Sequence, residues 1–181
     1  MFCWPASVAR TAQRSRMIVL AAALGAAVLA TPTQAAEKLV VAFGASQTYG
    51  KGVAREQAYP AQLEQLLRRK GLDVRVINSG VNGETTGSML QRLDGSVPAA
   101  TSVVIFQPGG NDKRKGVGGE RAANISAINQ RLAERGIAVV MMENKVFRNY
   151  PRQADGQHLT AAGYHNLASS LVAKVAALLA P

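Results

Sequence analysis

Asp155-Gly156-Gln157-His158 stands near the C-terminal end of a 181-residue chain that holds only two histidines. A neutral imidazole is the usual general base near pH 7, and a carboxylate on its other ring nitrogen fixes the tautomer and stabilises the imidazolium. Four residues therefore carry two members of a proton-relay triad. The other parts must come from elsewhere. Ser46, in Gly44-Ala45-Ser46-Gln47-Thr48, offers a hydroxyl nucleophile. A glycine in Asn78-Ser79-Gly80-Val81-Asn82-Gly83-Glu84-Thr85-Thr86 offers a backbone N–H that can approach a substrate oxygen closely. Asn111, in Gly109-Gly110-Asn111-Asp112, offers an amide donor. Taken singly, each of these reads as ordinary turn chemistry. Taken in order, they are what tetrahedral acyl transfer requires: nucleophile, base, orienting carboxylate and preorganised donors.

The elements that must position these residues alternate. Apolar strand-like runs at 39–43, 74–77, 102–106 and 137–142 are separated by helical patterns at 59–70, 87–93 and 121–135. Leu63, Leu66 and Leu67 share the i, i+3, i+4 face of one helix, which Gly71 stops. Thr160 caps a last helix carrying Tyr164, Leu167, Leu171, Val172, Val175 and Leu178 on one side. Residues 143–158 lack a clear period. Strands separated by helices predict an α/β fold, a parallel sheet with helices on both faces. Ligands bind such sheets beyond the carboxyl ends of the strands. Ser46, the segment 78–86 and Asn111 each follow a strand.

Composition narrows the function classes. Arg10, Arg14 and Arg16 precede an apolar run at 17–30, and Thr33-Gln34-Ala35 puts small residues where a signal peptidase cuts. Residues 1–35 are thus expected to be a signal peptide cleaved after Ala35. The expectation is export to the periplasm or beyond, with one domain over 36–181. The apolar run falls short of the roughly 20 residues of a membrane span. Cys3 leaves with the leader, which excludes a cysteine nucleophile or thiolate metal site. The remaining 146 residues can bury about 68% of their unfolded surface. They carry 18 basic and 11 acidic residues, a net charge of +7. That charge could favour weak contact with an anionic lipid surface. No aromatic residues interleave with the basic ones, so a nucleic-acid platform is not indicated. The run from Gly44 to Lys51 has the wrong glycine spacing for a phosphate loop, and no metal motif is present, so no cofactor and no metal are expected.

On these blocks the chain resembles the SGNH, or GDSL-type, hydrolase superfamily, and within it the small bacterial thioesterase I, lysophospholipase and arylesterase branch. The resemblance runs from about Leu39 to the last helix. It implies a three-layer flavodoxin-like α/β/α fold with strand order 2-1-3-4. It also implies a catalytic triad of Ser46, Asp155 and His158, and an oxyanion hole formed by the N–H groups of Ser46 and Gly83 and the side chain of Asn111. The implied activity is hydrolysis of small-molecule acyl esters or thioesters of short to medium chain. Oligomeric state is left open.

Two departures stand out. The family's Gly-Asp-Ser-Leu is here Gly44-Ala45-Ser46-Gln47, and loss of the aspartate is expected to loosen the nucleophile loop. Only 44 residues separate Asn111 from Asp155. The expectation is four main strands, a loop running from strand four straight to the catalytic block, and a more open acyl site. A carbohydrate O-deacetylase using the same residues, or a periplasmic binding module without activity, are the alternatives. An α/β-hydrolase is disfavoured because the G-x-S-x-G elbow is missing.

Overall fold

A computed structural model describes residues 1–3 and 36–180. Residues 4–35 of the expected leader lie outside the described residues, and the fold below belongs to the compact unit that begins at Ala35. Four strands, β1 (Lys38–Gly44), β2 (Val74–Gly80), β3 (Thr101–Gln107) and β4 (Ala138–Met141), form one sheet in the order β2-β1-β3-β4. Every pairing is parallel. Fold class and strand order are those expected.

Both faces of the sheet are buried, and the period-two alternation of a strand sorts its side chains between them. Val40 and Ala42 of β1, with Val103 and Ile105 of β3, face α2 (Tyr59–Arg69) and α6 (Ala161–Leu179). Val41 and Phe43, with Val104 and Phe106, face α3 (Thr86–Ser96) and α5 (Arg121–Glu134). This explains why the strands read as continuous apolar runs. The helices show capping chemistry. Thr85 accepts from the Ser88 N–H, Thr160 accepts from the Gly163 N–H, and Pro60 occupies the first turn of α2.

Two short helices stand at strand ends: α1 (Ser46–Tyr49) directly after β1, and α4 (Asn111–Arg114) after β3. The strands differ a little from the sequence pattern. β2 runs on to Gly80, paired in register with Gly44, because Asn78 and Ser79 continue the ladder despite their polarity. The segment after β4 is not a plain loop. Asn144–Asn149 is a 3-10 helix. It is anchored by Phe147, which is buried in the same core as α2 and α6, and one anchor leaves no period to read. An antiparallel bridge between Arg152 and Leu159 then closes the following loop.

Candidate active site

Ser46 opens α1 at the carboxyl end of β1. The turn leading to it admits no side chain at residue 44: a Cβ on Gly44 would lie 2.5 Å from both the Gln107 carbonyl oxygen and Thr48 Oγ1. The loosening expected from Ala45 meets a direct brace. The Ala45 N–H donates to both the backbone oxygen (3.3 Å) and the side-chain Oε1 (3.0 Å) of Gln107. Gln107 itself is buried at the end of β3. Gln47 reaches the other way. Its Nε2 donates to the Gln157 carbonyl at 2.6 Å, and its Oε1 accepts from the Tyr164 hydroxyl at 3.0 Å. Burial holds that phenol well above its ordinary pKa, so it serves as a donor.

Asp155 and His158 share a loop knitted at both ends. The Gln153 N–H donates to the His158 carbonyl at 2.8 Å, and the Gln153 side chain donates to the carbonyls of Lys51 (2.8 Å) and Leu159 (2.7 Å). The Thr160 N–H donates to the Pro151 carbonyl at 3.1 Å. Inside the loop, Asp155 Oδ1 accepts from the N–H groups of Gln157 and His158, both at 2.9 Å. Its Oδ2 lies 2.5 Å from His158 Nδ1. The imidazole N–H first, and then these two amide N–H groups, hold the Asp155 carboxyl well below the usual carboxylate range. An ionised Asp155 can only accept, so Nδ1 carries the proton. Nε2 then presents its lone pair to Ser46 Oγ, 2.9 Å away. The imidazole is nearly buried, whereas Asp155 stands at the surface.

Asn111 is buried at the start of α4. Arg114, a pure donor, bonds its Oδ1. The Nδ2 group must then face the other way, where it donates to the Glu84 carbonyl at 2.7 Å. That uses one of two N–H groups and leaves the second for the cavity that Asn111 helps to line. The Glu84 side chain is buried and held by Arg92, whose Nε donates at 2.5 Å and whose terminal nitrogen bonds the second oxygen. The same guanidinium bonds Ser79 Oγ at 2.8 Å and lies 4.4 Å above the Phe43 ring. Asp112, fully buried, accepts from the N–H (3.0 Å) and hydroxyl (2.5 Å) of Thr86 and so ties α3 to the Gly-Gly-Asn turn.

Ser46, His158 and Asn111 line one cavity of about 460 Å³. Asp155 stands behind His158, outside the lining. Gly83 is not in the lining either. It has φ +72°, favourable to glycine, and immediately precedes the Glu84 that holds Asn111. Phe147 lines the cavity, while Tyr150 turns away and bonds Ser170 Oγ at 2.9 Å. His165 is on the exposed face of α6 against Gln62, as its position on that helix suggests. The sequence did not single out Gln47, Gln107, Gln153 or Arg92. Only Gln107 left a trace, as a polar residue closing an apolar strand.

The sequence model of the GDSL-like Lipase/Acylhydrolase family matches residues 42–179. An arylesterase of Vibrio mimicus is 34% identical over 127 residues, which is 69% of this chain and 63% of that protein. The chain therefore spans less than two thirds of that relative's length. Esterase TesA of Pseudomonas aeruginosa is 29% identical over 137 residues, 75% of this chain and 67% of that protein. Among solved structures, AlinE4, an SGNH-hydrolase family esterase, superposes with a TM-score of 0.60 at 28% identity, over 82% of this chain and all of that one. The crystal structure of TesA gives 0.69 at 20% identity, over 78% of this chain and 99% of that one, a likeness of fold.

Proposed function

The chain belongs to the GDSL-like lipase/acylhydrolase family, and on that premise we propose that it is a serine hydrolase of carboxylic esters or thioesters with short to medium acyl chains. The observation that carries this reading is the unbroken hydrogen-bonded line from Ser46 Oγ through His158 to Asp155, with the Asn111 amide in the same cavity. Ser46 Oγ attacks the substrate carbonyl while His158 Nε2 takes its proton. Asp155 stabilises the resulting imidazolium. The oxyanion is held by the Ser46 N–H and the free N–H of Asn111, both on the cavity wall, with the Gly83 N–H as the third donor that the family resemblance implies although Gly83 lies outside the lining. Collapse of the tetrahedral species expels the alcohol or thiol, which receives the proton from His158. Water, deprotonated by His158, then attacks the acyl-enzyme; the bond to Ser46 Oγ breaks, Oγ takes the proton back from His158 Nε2, and the acid leaves. Relatives named as esterases support the reaction class.

A fluorophosphonate probe with a nitrophenyl ester series of increasing acyl length tests this. Ser46 should be labelled, with no labelling in Ser46→Ala or His158→Ala. Asn111→Ala should slow turnover by on the order of 10²–10³. A folded protein that neither labels nor turns over would be a binding module instead, and preference for an acetylated sugar would redirect the reading to O-deacetylation. Action outside the cytoplasm is part of the proposal. It rests on the basic, apolar and small-residue pattern of residues 1–35. Terminal sequencing of the protein from the producing cell should begin at Ala36, and an intact Met1 would refute export by cleavage.

A further inference from the structure

The acyl-transfer residues occupy only part of the cavity. Its wall also carries Arg114, Arg148 and Arg152, and among the described residues no aspartate or glutamate lines it. Like charges gathered round one cavity repel unless something offsets them. No carboxylate among the described residues pairs directly with any of the three. Arg114 donates to Asn111 Oδ1 and, at 2.6 Å, to Gln157 Oε1. Arg152 donates to the carbonyls of Gly156 (2.8 Å) and Phe147 (3.2 Å). All four acceptors are neutral. Arg148 makes no hydrogen bond or ion pair with another described residue, and none of the three enters an ion pair among the described residues. On adjoining segments Glu143 pairs with Lys145, and Asp155, ionised against a neutral imidazole behind the wall, leaves one negative charge against the three positive ones.

Two guanidinium groups are thus pinned in place by neutral acceptors while a third has a free head. A guanidinium fork matches the oxygens of a carboxylate or phosphate, and a pinned one loses little freedom on binding. We infer that this cavity selects esters carrying an anionic group, a carboxylate or a phosphate, on the part of the substrate that does not react. The inference rests on the hydrolase reading above and adds the substrate class. A general attraction by the basic surface would favour any anion from any direction. The cavity arginines make a local claim, and one substitution separates the two.

The test compares kcat/KM for matched esters within each variant, so that a general loss of activity cancels. On the acyl side, mono-p-nitrophenyl adipate is set against p-nitrophenyl hexanoate. On the leaving-group side, 4-acetoxybenzoate and 4-acetoxyphenyl phosphate are set against methyl 4-acetoxybenzoate. In the wild type the anionic ester should be preferred on at least one side, and the two leaving groups distinguish carboxylate from phosphate. Arg148→Gln should lower that preference by about three- to tenfold, the size of a charge-assisted contact made by an exposed side chain. Arg148→Glu should lower it further. Raising ionic strength from about 0.02 to about 0.5 M should erode it. Arg69→Gln removes the same charge from the exposed end of α2, outside the cavity lining, and should leave the preference as it was. Anionic esters no better than neutral ones, or equal effects of the Arg148 and Arg69 substitutions, would overturn the inference while leaving the hydrolase reading intact. A folded protein inactive on every ester would remove both.

Discussion

Asp155 does three things at once with two oxygens: it closes its own turn, orients His158 and carries the charge that the imidazolium needs. Because its carboxyl is held below the usual range, its contacts stabilise the fold at every pH above its unfolded value of about 3.9. They are lost as pH falls through the lower folded value. The melting-temperature gap between wild type and Asp155→Asn should therefore narrow as pH falls below about 4. A gap that keeps growing below about pH 4 would contradict the assignment. At neutral pH the same substitution should cut turnover by about 10²–10⁴, since an amide can donate to Nδ1 and so favour the wrong tautomer. At this scale the side chains that meet at Ser46 were legible, because their types and order pointed to one site. Their supports were not. Gln47, Gln107 and Gln153 find their partners across more than 60 or 100 residues of chain, and a glutamine's usefulness shows only when the partner is in place.

Helices and loops set how far those side chains can drift. Gly163, in the first turn of α6, packs directly on the base loop: a Cβ there would lie 2.3 Å from the Pro151 carbonyl oxygen. Gly95, near the end of α3, faces open space with an unstrained backbone. The same change should act with opposite signs. Gly95→Ala gains helix propensity, up to about 1 kcal/mol, with nothing to oppose it. Gly163→Ala gains the same propensity but forces overlap costing about 1–3 kcal/mol or more, and moves the loop that carries His158. Urea unfolding should show the midpoint rising in the first variant and falling in the second, with turnover falling only in the second. Equal midpoints would mean that α6 shifts freely against the loop. α2 and α6 were legible as elements because each buries a regular stripe. The 3-10 helix at Asn144–Asn149 was not, having Phe147 as its single buried residue. Arg148 and Arg152 were missed with it, since their shared cavity exists only once that segment folds back.

At the scale of the molecule, the parallel sheet followed from the alternation of apolar runs and helical stripes. The strand order followed from family resemblance alone, because periodicity says nothing about neighbours. The sheet also decides when the site comes into being. Ser46 and His158 meet across 112 positions of sequence. The backbone of the nucleophile turn is held by the end of β3, whereas the base, with the partners of Gln47, arrives on the segment that leads into α6. Contacts so distant in the chain carry a high closure entropy and tend to form late. In refolding from urea, far-UV circular dichroism and burial of Met89 and Leu93, on the face covered by α3 and α5, should therefore recover before ester turnover does. Simultaneous recovery would mean that α6 docks with the rest of the sheet. If turnover lags, a partly folded chain presents the serine without its base: the protein passes through its most exposed stage chemically silent, and hydrolysis marks the final docking of its last helix.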